Sequence, residues 1–344
     1  MGRFLILFLA LHATTCGKEL RIGVFGLFHP SELVLRASPG GALSVHLAGD
    51  EWRLEGPQTA HFRVSRTGIL CTIGDRVVTT SEVRVSGTGS RTEFFLSVPG
   101  KIDRRFVATL DILLRGGELV PILITDLETA VESVVAAESN QGAPLEALKA
   151  QAIAARSFYV ASSARHQDFH FCDTTHCQFL RQPPEEGDVA GAAASATKSL
   201  ILLHMGAPLA ALFSASCGGR TRTLSEAGMI VSDGYPYYAV ECLPCLKRTS
   251  HWKRSFPIQY DRLLEDQAEA HRIELNRLLG WNALPGYNYE VSREGDHIVV
   301  HGRGQGHGIG LCQRGAIAMA GSGADYRLVL NHYYPNTVIG VVNH

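Results

Sequence analysis

A carboxylic acid donates protons near neutral pH only where its surroundings disfavour ionisation. One glutamate of this 344-residue chain has the spacing for such a place. Across LETAVESVVAAE, residues 127 to 138, apolar side chains recur at helical intervals. At about 100° per residue, Leu127, Val131, Val134 and Glu138 share one stripe, with Glu138 within about 20° of Leu127. Glu132 projects roughly 140° away, where a solvated acid belongs. The spacing therefore predicts that Glu138 extends the buried face. Desolvation there raises a carboxyl toward the proton-donor range, the device of lysozyme-type glycosidases. A frayed helix end that turns the acid to solvent is the other reading the periodicity allows.

Two sulfur-rich groups also have the composition for chemistry. His166, His170, Cys172, His176 and Cys177 fall within twelve residues, and a tetrahedral Zn²⁺ takes two Cys and two His in closed structural sites. A Cys172–Cys177 disulfide is the alternative in an oxidising compartment. The second group is Cys217 with Cys242-x2-Cys245, followed by His251. A disulfide from Cys217 to one of the pair is expected first, and a second zinc half-site stands behind it. Cys71 and Cys312 look isolated.

HGRGQGHGIG, residues 301 to 310, has the look of a phosphate cradle but fails the dinucleotide pattern. After Gly302 and Gly304, the third glycine should stand where His307 does. The expected form is a tight loop after a strand at 297–302, with glycines admitting a ligand to the backbone and His307 exposed at a cleft. Ser214, Ser216 and Gly218-Gly219-Arg220-Thr221 make a third polar loop. No G-x-S-x-G elbow surrounds either serine, which argues against a serine nucleophile.

Something must hold these groups. From about residue 19 to 114, short alternating runs such as ALSVHLAG and EVRVSGTG are broken by Gly, Pro and Ser, the pattern of antiparallel β structure. From residue 120 the texture is helical and mixed. Thr125-x-x-Glu128 forms a capping box for the first helix, a second alanine-rich packing helix starts near Pro144, and the region 246 to 285 reads as charged and helical. The expected class is α+β, a mixed catalytic part with a β-rich N-terminal region. The expected divisions are a signal segment over 1–16, the β-rich region over 17–117 and the catalytic part over 118–344.

Composition sets the compartment and excludes some partners. A formal net charge of −1 with scattered Lys and Arg gives no footprint for nucleic acid. Met1-Gly2-Arg3 precedes the apolar run FLILFLALHA, a secretory signal in form, and eight cysteines then call for an explanation outside the cytoplasm. Cleavage after Ala13 and lipid anchoring through Cys16 are both open. No later segment reaches the roughly 18 uninterrupted apolar residues of a membrane-spanning helix.

Taken in order, VVAAE, PLEALKAQAIAARS, CDTTHCQ, FSASCGGRT, GRGQGHGIGLCQRGAIAMA and LNHYYP resemble the stage II sporulation protein D family over roughly residues 118 to 344. The resemblance implies a bacterial cell-envelope protein and a lytic transglycosylase that cleaves peptidoglycan glycan strands, with Glu138 as its essential acid. It implies a structural zinc near the cleft, for which Cys172, His176, Cys177 and His166 are the expected ligands and His170 a substitute. It also places the Gly-His-Gly loop near the glutamate, giving His307 and Gln313 positioning roles. Ser216, Arg220 and Asp173 complete the cleft candidates. Where relatives often carry Met-Pro after the glutamate, this chain has Ser139-Asn140. In such a reaction one carboxyl suffices, because the sugar's own 6-hydroxyl attacks. A hydrolase would want a second acid, for which Asp173 and Asp233 are the options. Relatives that enhance an N-acetylmuramoyl-L-alanine amidase without catalysis supply the alternative function, and other cell-wall hydrolases are the implied protein partners. A zinc amidase needs an open metal site, which a four-ligand shell does not offer.

Overall fold

The computed structural model describes residues 19–47, 49–88, 92–140, 142–230, 234–248 and 251–342. The signal segment, Cys16 and Asp233 lie outside the described residues. The architecture is α+β, as the sequence reading expects.

In the N-terminal half, strands such as Glu32–Ala37, Ala42–Leu47 and Glu93–Val98 bury every second residue. That period sends one face of each strand inward. The strands assemble into a six-stranded and a seven-stranded sheet. Leu33, Leu35, Phe62 and Phe94 of the first and Leu43, Val45, Val85 and Ile112 of the second share one core, so the sheets close on each other face to face.

The seven-stranded sheet does not stop at the sequence's change of texture. Strand Glu118–Asp126 pairs with Thr109–Arg115 on one side and with Glu19–Gly23 on the other. Glu19–Gly23 in turn pairs in parallel with Phe171–Cys172, at the first sulfur group. The first helix, α1 (Leu127–Glu138), continues directly from strand Glu118–Asp126. Its cap is Asp126, whose carboxylate accepts the Thr129 N–H at 3.0 Å. The expected Thr125 capping box does not form: Thr125 donates its hydroxyl to the Val107 carbonyl, and Glu128 turns away to Arg156. A sheet neighbour outcompetes the local cap because strand and helix meet at this residue.

Helix α2 (Leu145–Ala161) follows Pro144, which serves as the N-cap with φ −59° and ψ 143°. Its alanines let α1, α3 (Val189–Ala196), strand Leu200–His204 and two later helices approach closely, and twelve of its seventeen residues are buried. Arg156, fully buried on α2, forks onto Glu128 of α1 at 2.6 Å and donates to the carbonyls of Ala194 and Leu200. One guanidinium thus ties two neighbouring helices and a strand to α2.

The region from 246 to 285 departs from the helical expectation. After the short α4 (Leu243–Arg248) comes strand His251–Pro257, then a 3₁₀ turn and α5 (Glu269–Leu279). His251–Pro257 is an outer strand of a three-stranded sheet, with only Phe256 buried, so its charged residues mask the strand in the sequence. Strand His297–Arg303 is central in that sheet. Helices α6 (Gln313–Gly321) and α7 (Tyr326–Tyr333) and a closing strand Val338–Val341 complete the fold. Among the described residues no helix is long and apolar enough to cross a membrane.

Candidate functional site

Glu138 is the last residue of α1, where Leu127, Val131, Val134 and Val135 of the same helix are buried. The helix ends because Ser139 takes an extended conformation (φ −78°, ψ 148°). The glutamate keeps some surface as a residue, yet its carboxyl is closely surrounded by protein. Burial pushes its pKa up to about 7, against a lowering contribution from the Phe179 N–H, which donates to Oε1 at 2.8 Å. The Gln313 side-chain amide donates to the Glu138 carbonyl at 3.0 Å, pinning the helix end from α6. A small hollow beside it is lined by Ser139, Asn140, Leu148, Gln151, Gln313 and Ile317. Gln151 is buried there, with no hydrogen-bond partner for its Nε2 among the described residues.

Phe179 connects the acid to the first sulfur group. The structure brings His166, Cys172, His176 and Cys177 together, with their donor atoms all within 4.8 Å of one another. His176 Nδ1 lies 3.7 Å from the Cys172 sulfur and 3.6 Å from that of Cys177, and His166 Nε2 lies 3.5 Å from Cys177. Two soft thiolates and two imidazoles converging from one loop have the chemistry to hold a metal ion. The neighbouring Cys177 thiol holds Cys172 well below the usual thiol range. His170 is turned elsewhere, its Nδ1 accepting the Arg21 N–H at 3.2 Å. Among the described residues there is no disulfide, and all the described cysteines are free thiols. From Cys177 the chain runs through Gln178, whose amide donates to the Ala155 carbonyl at 3.0 Å, and reaches Phe179 at the carboxyl. One residue, Gln178, separates the donor set from the glutamate's hydrogen-bond donor. Tyr159, fully buried on α2, feels Glu138, Cys172, Cys177 and Asp173 at once.

The remaining expected residues are spread more widely. Asp173 is buried with its pKa pushed up to about 6, but its carboxylate faces the N-terminal region, accepting from Arg104 at 3.2 Å and Phe25 N–H at 3.3 Å. His307 is half-buried where exposure was expected. Burial drives its pKa down to about 4, and its Nδ1 accepts the Ile309 N–H at 3.1 Å, so the ring is neutral at pH 7. Among the described residues no hydrogen bond joins His307 to Glu138. The glycines around it are required by packing: a Cβ on Gly308 would meet the Tyr287 ring at 1.9 Å, and one on Gly310 the Leu212 carbonyl at 2.0 Å. Both have positive φ, which glycine adopts without strain. Arg220 is exposed and pairs with Glu226 at 3.0 Å. Ser216 lies against the second sulfur group, its hydroxyl 3.6 Å from Cys245.

That second group differs from the expected disulfide. Cys217, Cys242 and Cys245 are joined by Cys312, and all four are buried free thiols with sulfurs within 4.8 Å. Cys312 looked isolated because it stands 67 positions from Cys245 and 95 from Cys217. The role of the Phe179 backbone was also missed, since a main-chain donor leaves no mark on residue type. The hidden positions of Gln151, Arg156 and Tyr159 had a weak signal: polar side chains in an otherwise apolar helix, QAIAARSFY.

Comparison with known proteins finds consistent similarity for the central segment. Residues 115–204 match the SpoIID family model, described as stage II sporulation protein. This span holds α1, α2, α3 and the first sulfur group. An uncharacterized protein of Brachyspira hyodysenteriae is 27% identical over 244 residues, 61% of this chain and 65% of that protein. The stage II sporulation protein D of Bacillus subtilis is 26% identical over 259 residues, 62% of this chain and 74% of its own length. The amidase enhancer of the same organism is 35% identical over 66 residues, 19% of this chain and 9% of that protein. The chain thus spans just under two thirds of the Brachyspira protein and a small part of the amidase enhancer.

Proposed function

We propose that the protein is an exported cell-envelope enzyme that cleaves peptidoglycan glycan strands as a lytic transglycosylase, with residues 118–344 as its catalytic part. The observation that carries this reading is the enclosed carboxyl of Glu138, with its pKa raised to about 7 by burial. A protonated Glu138 donates to the glycosidic oxygen as the bond to the anomeric carbon breaks. The resulting carboxylate takes the proton of the sugar's 6-hydroxyl as that oxygen bonds the anomeric carbon, leaving a 1,6-anhydro end and a reprotonated acid. No second carboxylate is required, which agrees with Asp173 being paired to Arg104. Similarity to the stage II sporulation protein D of Bacillus subtilis supports the cell-wall setting.

His166, Cys172, His176 and Cys177 are the proposed ligands of a structural zinc, which would steady the segment that delivers the Phe179 N–H to the acid. Export through the N-terminal apolar run, with or without a lipid on Cys16, would bring the site to its substrate. Other cell-wall hydrolases are the proposed protein partners.

A second reading rests on the stretch that is 35% identical to an amidase enhancer: a wall-binding protein that stimulates an N-acetylmuramoyl-L-alanine amidase without cutting glycans. One experiment separates the two. Peptidoglycan glycans, with and without stem peptides, are incubated with wild type and Glu138→Gln, and the products are weighed by mass spectrometry. Anhydro-ended sugars that fall by a factor of about 10² or more in the variant are expected. Intact glycans with both proteins would leave the enhancer as the function.

A further inference from the structure

The second sulfur group is a site of its own, on a different core from the first. Cys217 follows strand Phe213–Ser214, Cys242 and Cys245 bracket the start of α4, and Cys312 caps α6. Each cysteine is at most 1% exposed. All four sulfurs lie within 4.8 Å of one another, and Cys245 and Cys312 stand 3.5 Å apart. A tetrahedron of thiolates around Zn²⁺ at about 2.3 Å has edges of about 3.8 Å. A disulfide would instead bring sulfurs together in pairs at about 2.05 Å. Four sulfurs meeting as a tetrad have the geometry of a shared centre.

We propose that Cys217, Cys242, Cys245 and Cys312 bind one tetrahedral divalent cation, with zinc as the ion that this all-thiolate set favours. Four thiolates around Zn²⁺ carry a net charge of −2, which a buried site must offset with donors. Those donors surround it. The Cys217 and Gly315 N–H groups approach the Cys312 sulfur at 3.3 and 3.4 Å, the Tyr333 hydroxyl lies 3.3 Å from Cys242, and the Ser216 hydroxyl 3.6 Å from Cys245. Cys312 also sits at the positive end of α6. Gly315 is required by the same crowding, because a Cβ there would meet the Tyr333 oxygen at 1.8 Å and the Cys242 sulfur at 2.6 Å. With four protein ligands and no solvent face, the centre is structural and leaves no position for a substrate.

Its place in the fold gives it a task. It staples the Gly218-Gly219 loop, α4 and the start of α6, and the residue after Cys312 is Gln313, which holds the Glu138 carbonyl. The first sulfur group lies on the chain segment that donates to the carboxyl of the same glutamate. The acid is therefore gripped on two sides, with one sulfur centre behind each grip. This inference stands whether or not Glu138 cleaves glycans.

Elemental analysis of the purified full chain tests it, alongside His166→Ala/Cys177→Ser and Cys245→Ser/Cys312→Ser double variants. Two zinc ions per chain in the wild type and one in each variant are expected. One ion in the wild type, absent from the His166/Cys177 variant and retained in the Cys245/Cys312 variant, overturns the proposal. So does alkylation of the denatured, unreduced and chelated protein that leaves Cys217, Cys242, Cys245 and Cys312 blocked as disulfides. Should the Cys245/Cys312 variant not fold, cobalt-loaded His166→Ala/Cys177→Ser supplies the answer. Sulfur-to-cobalt charge transfer with tetrathiolate d–d bands supports the site, and a spectrum without them excludes it.

Discussion

Glu138 is the proposed acid, and its enclosure has a thermodynamic signature that can be read without any substrate. Its folded-state pKa of about 7 lies above the ordinary 4.5, so the folded chain keeps a proton that the unfolded chain releases between those values. Stability contributed by the neutral acid is present at low pH and is lost as pH rises through about 7. Glu138→Gln removes the ionisation while keeping the shape. The variant should gain stability over wild type on going from pH 5 to pH 8, by on the order of 1–3 kcal/mol after allowing for the residue's partial exposure. Thermal or urea unfolding at the two pH values measures it, and an equal difference at both would mean that the carboxyl is solvated. For a general acid the same titration makes turnover fall about tenfold per pH unit above pH 7.

At the scale of elements, α2 is the axis of the half that carries Glu138, and Arg156 is its fastening. The guanidinium is fully buried and bonds Glu128 of α1, the Ala194 carbonyl of α3 and the Leu200 carbonyl of the next strand. Removing it strips the half-buried Glu128 carboxylate of its cation and takes one donor from each of the two carbonyls. Arg156→Ala should cost about 3–5 kcal/mol, measured by denaturant titration. A loss below about 1 kcal/mol would show that water enters and replaces the fork. The packing role of α2 was legible from its alanines, and α1 from its apolar stripe. The fastening was not, because an arginine in a helix ordinarily reads as a solvated surface residue and nothing local names its partner 28 positions away. The capping box failed for a related reason: a threonine at the joint of strand and helix answers to the sheet.

At the scale of the whole molecule, local alternation announced the β-rich half, and ordered motifs announced the other. How the halves join depends on pairings between distant segments, which leave no periodicity to read. Strand Glu19–Gly23 lies between Glu118–Asp126 and Phe171–Cys172, so the N-terminal segment completes the sheet on which the Cys172 loop is built. Arg104 and the Phe25 N–H reach across to Asp173, and Arg21 to His170. The gathering of Cys312 with three distant cysteines is legible only in three dimensions for the same reason. The β-rich half is thus part of the support of the candidate site. A chain starting at residue 118 keeps Glu138 and both sulfur groups but leaves strand Glu118–Asp126 without either sheet neighbour and Phe171–Cys172 without its partner. Unpaired buried backbone groups each cost about 1–3 kcal/mol, and the apolar face of that strand loses its cover. Such a chain should lack the single cooperative thermal transition of the full protein and should expose apolar surface to a hydrophobic dye. A sharp transition with native-like secondary structure would instead make residues 118–344 an independent folding unit, with the first half an attached domain and not a wall of the site.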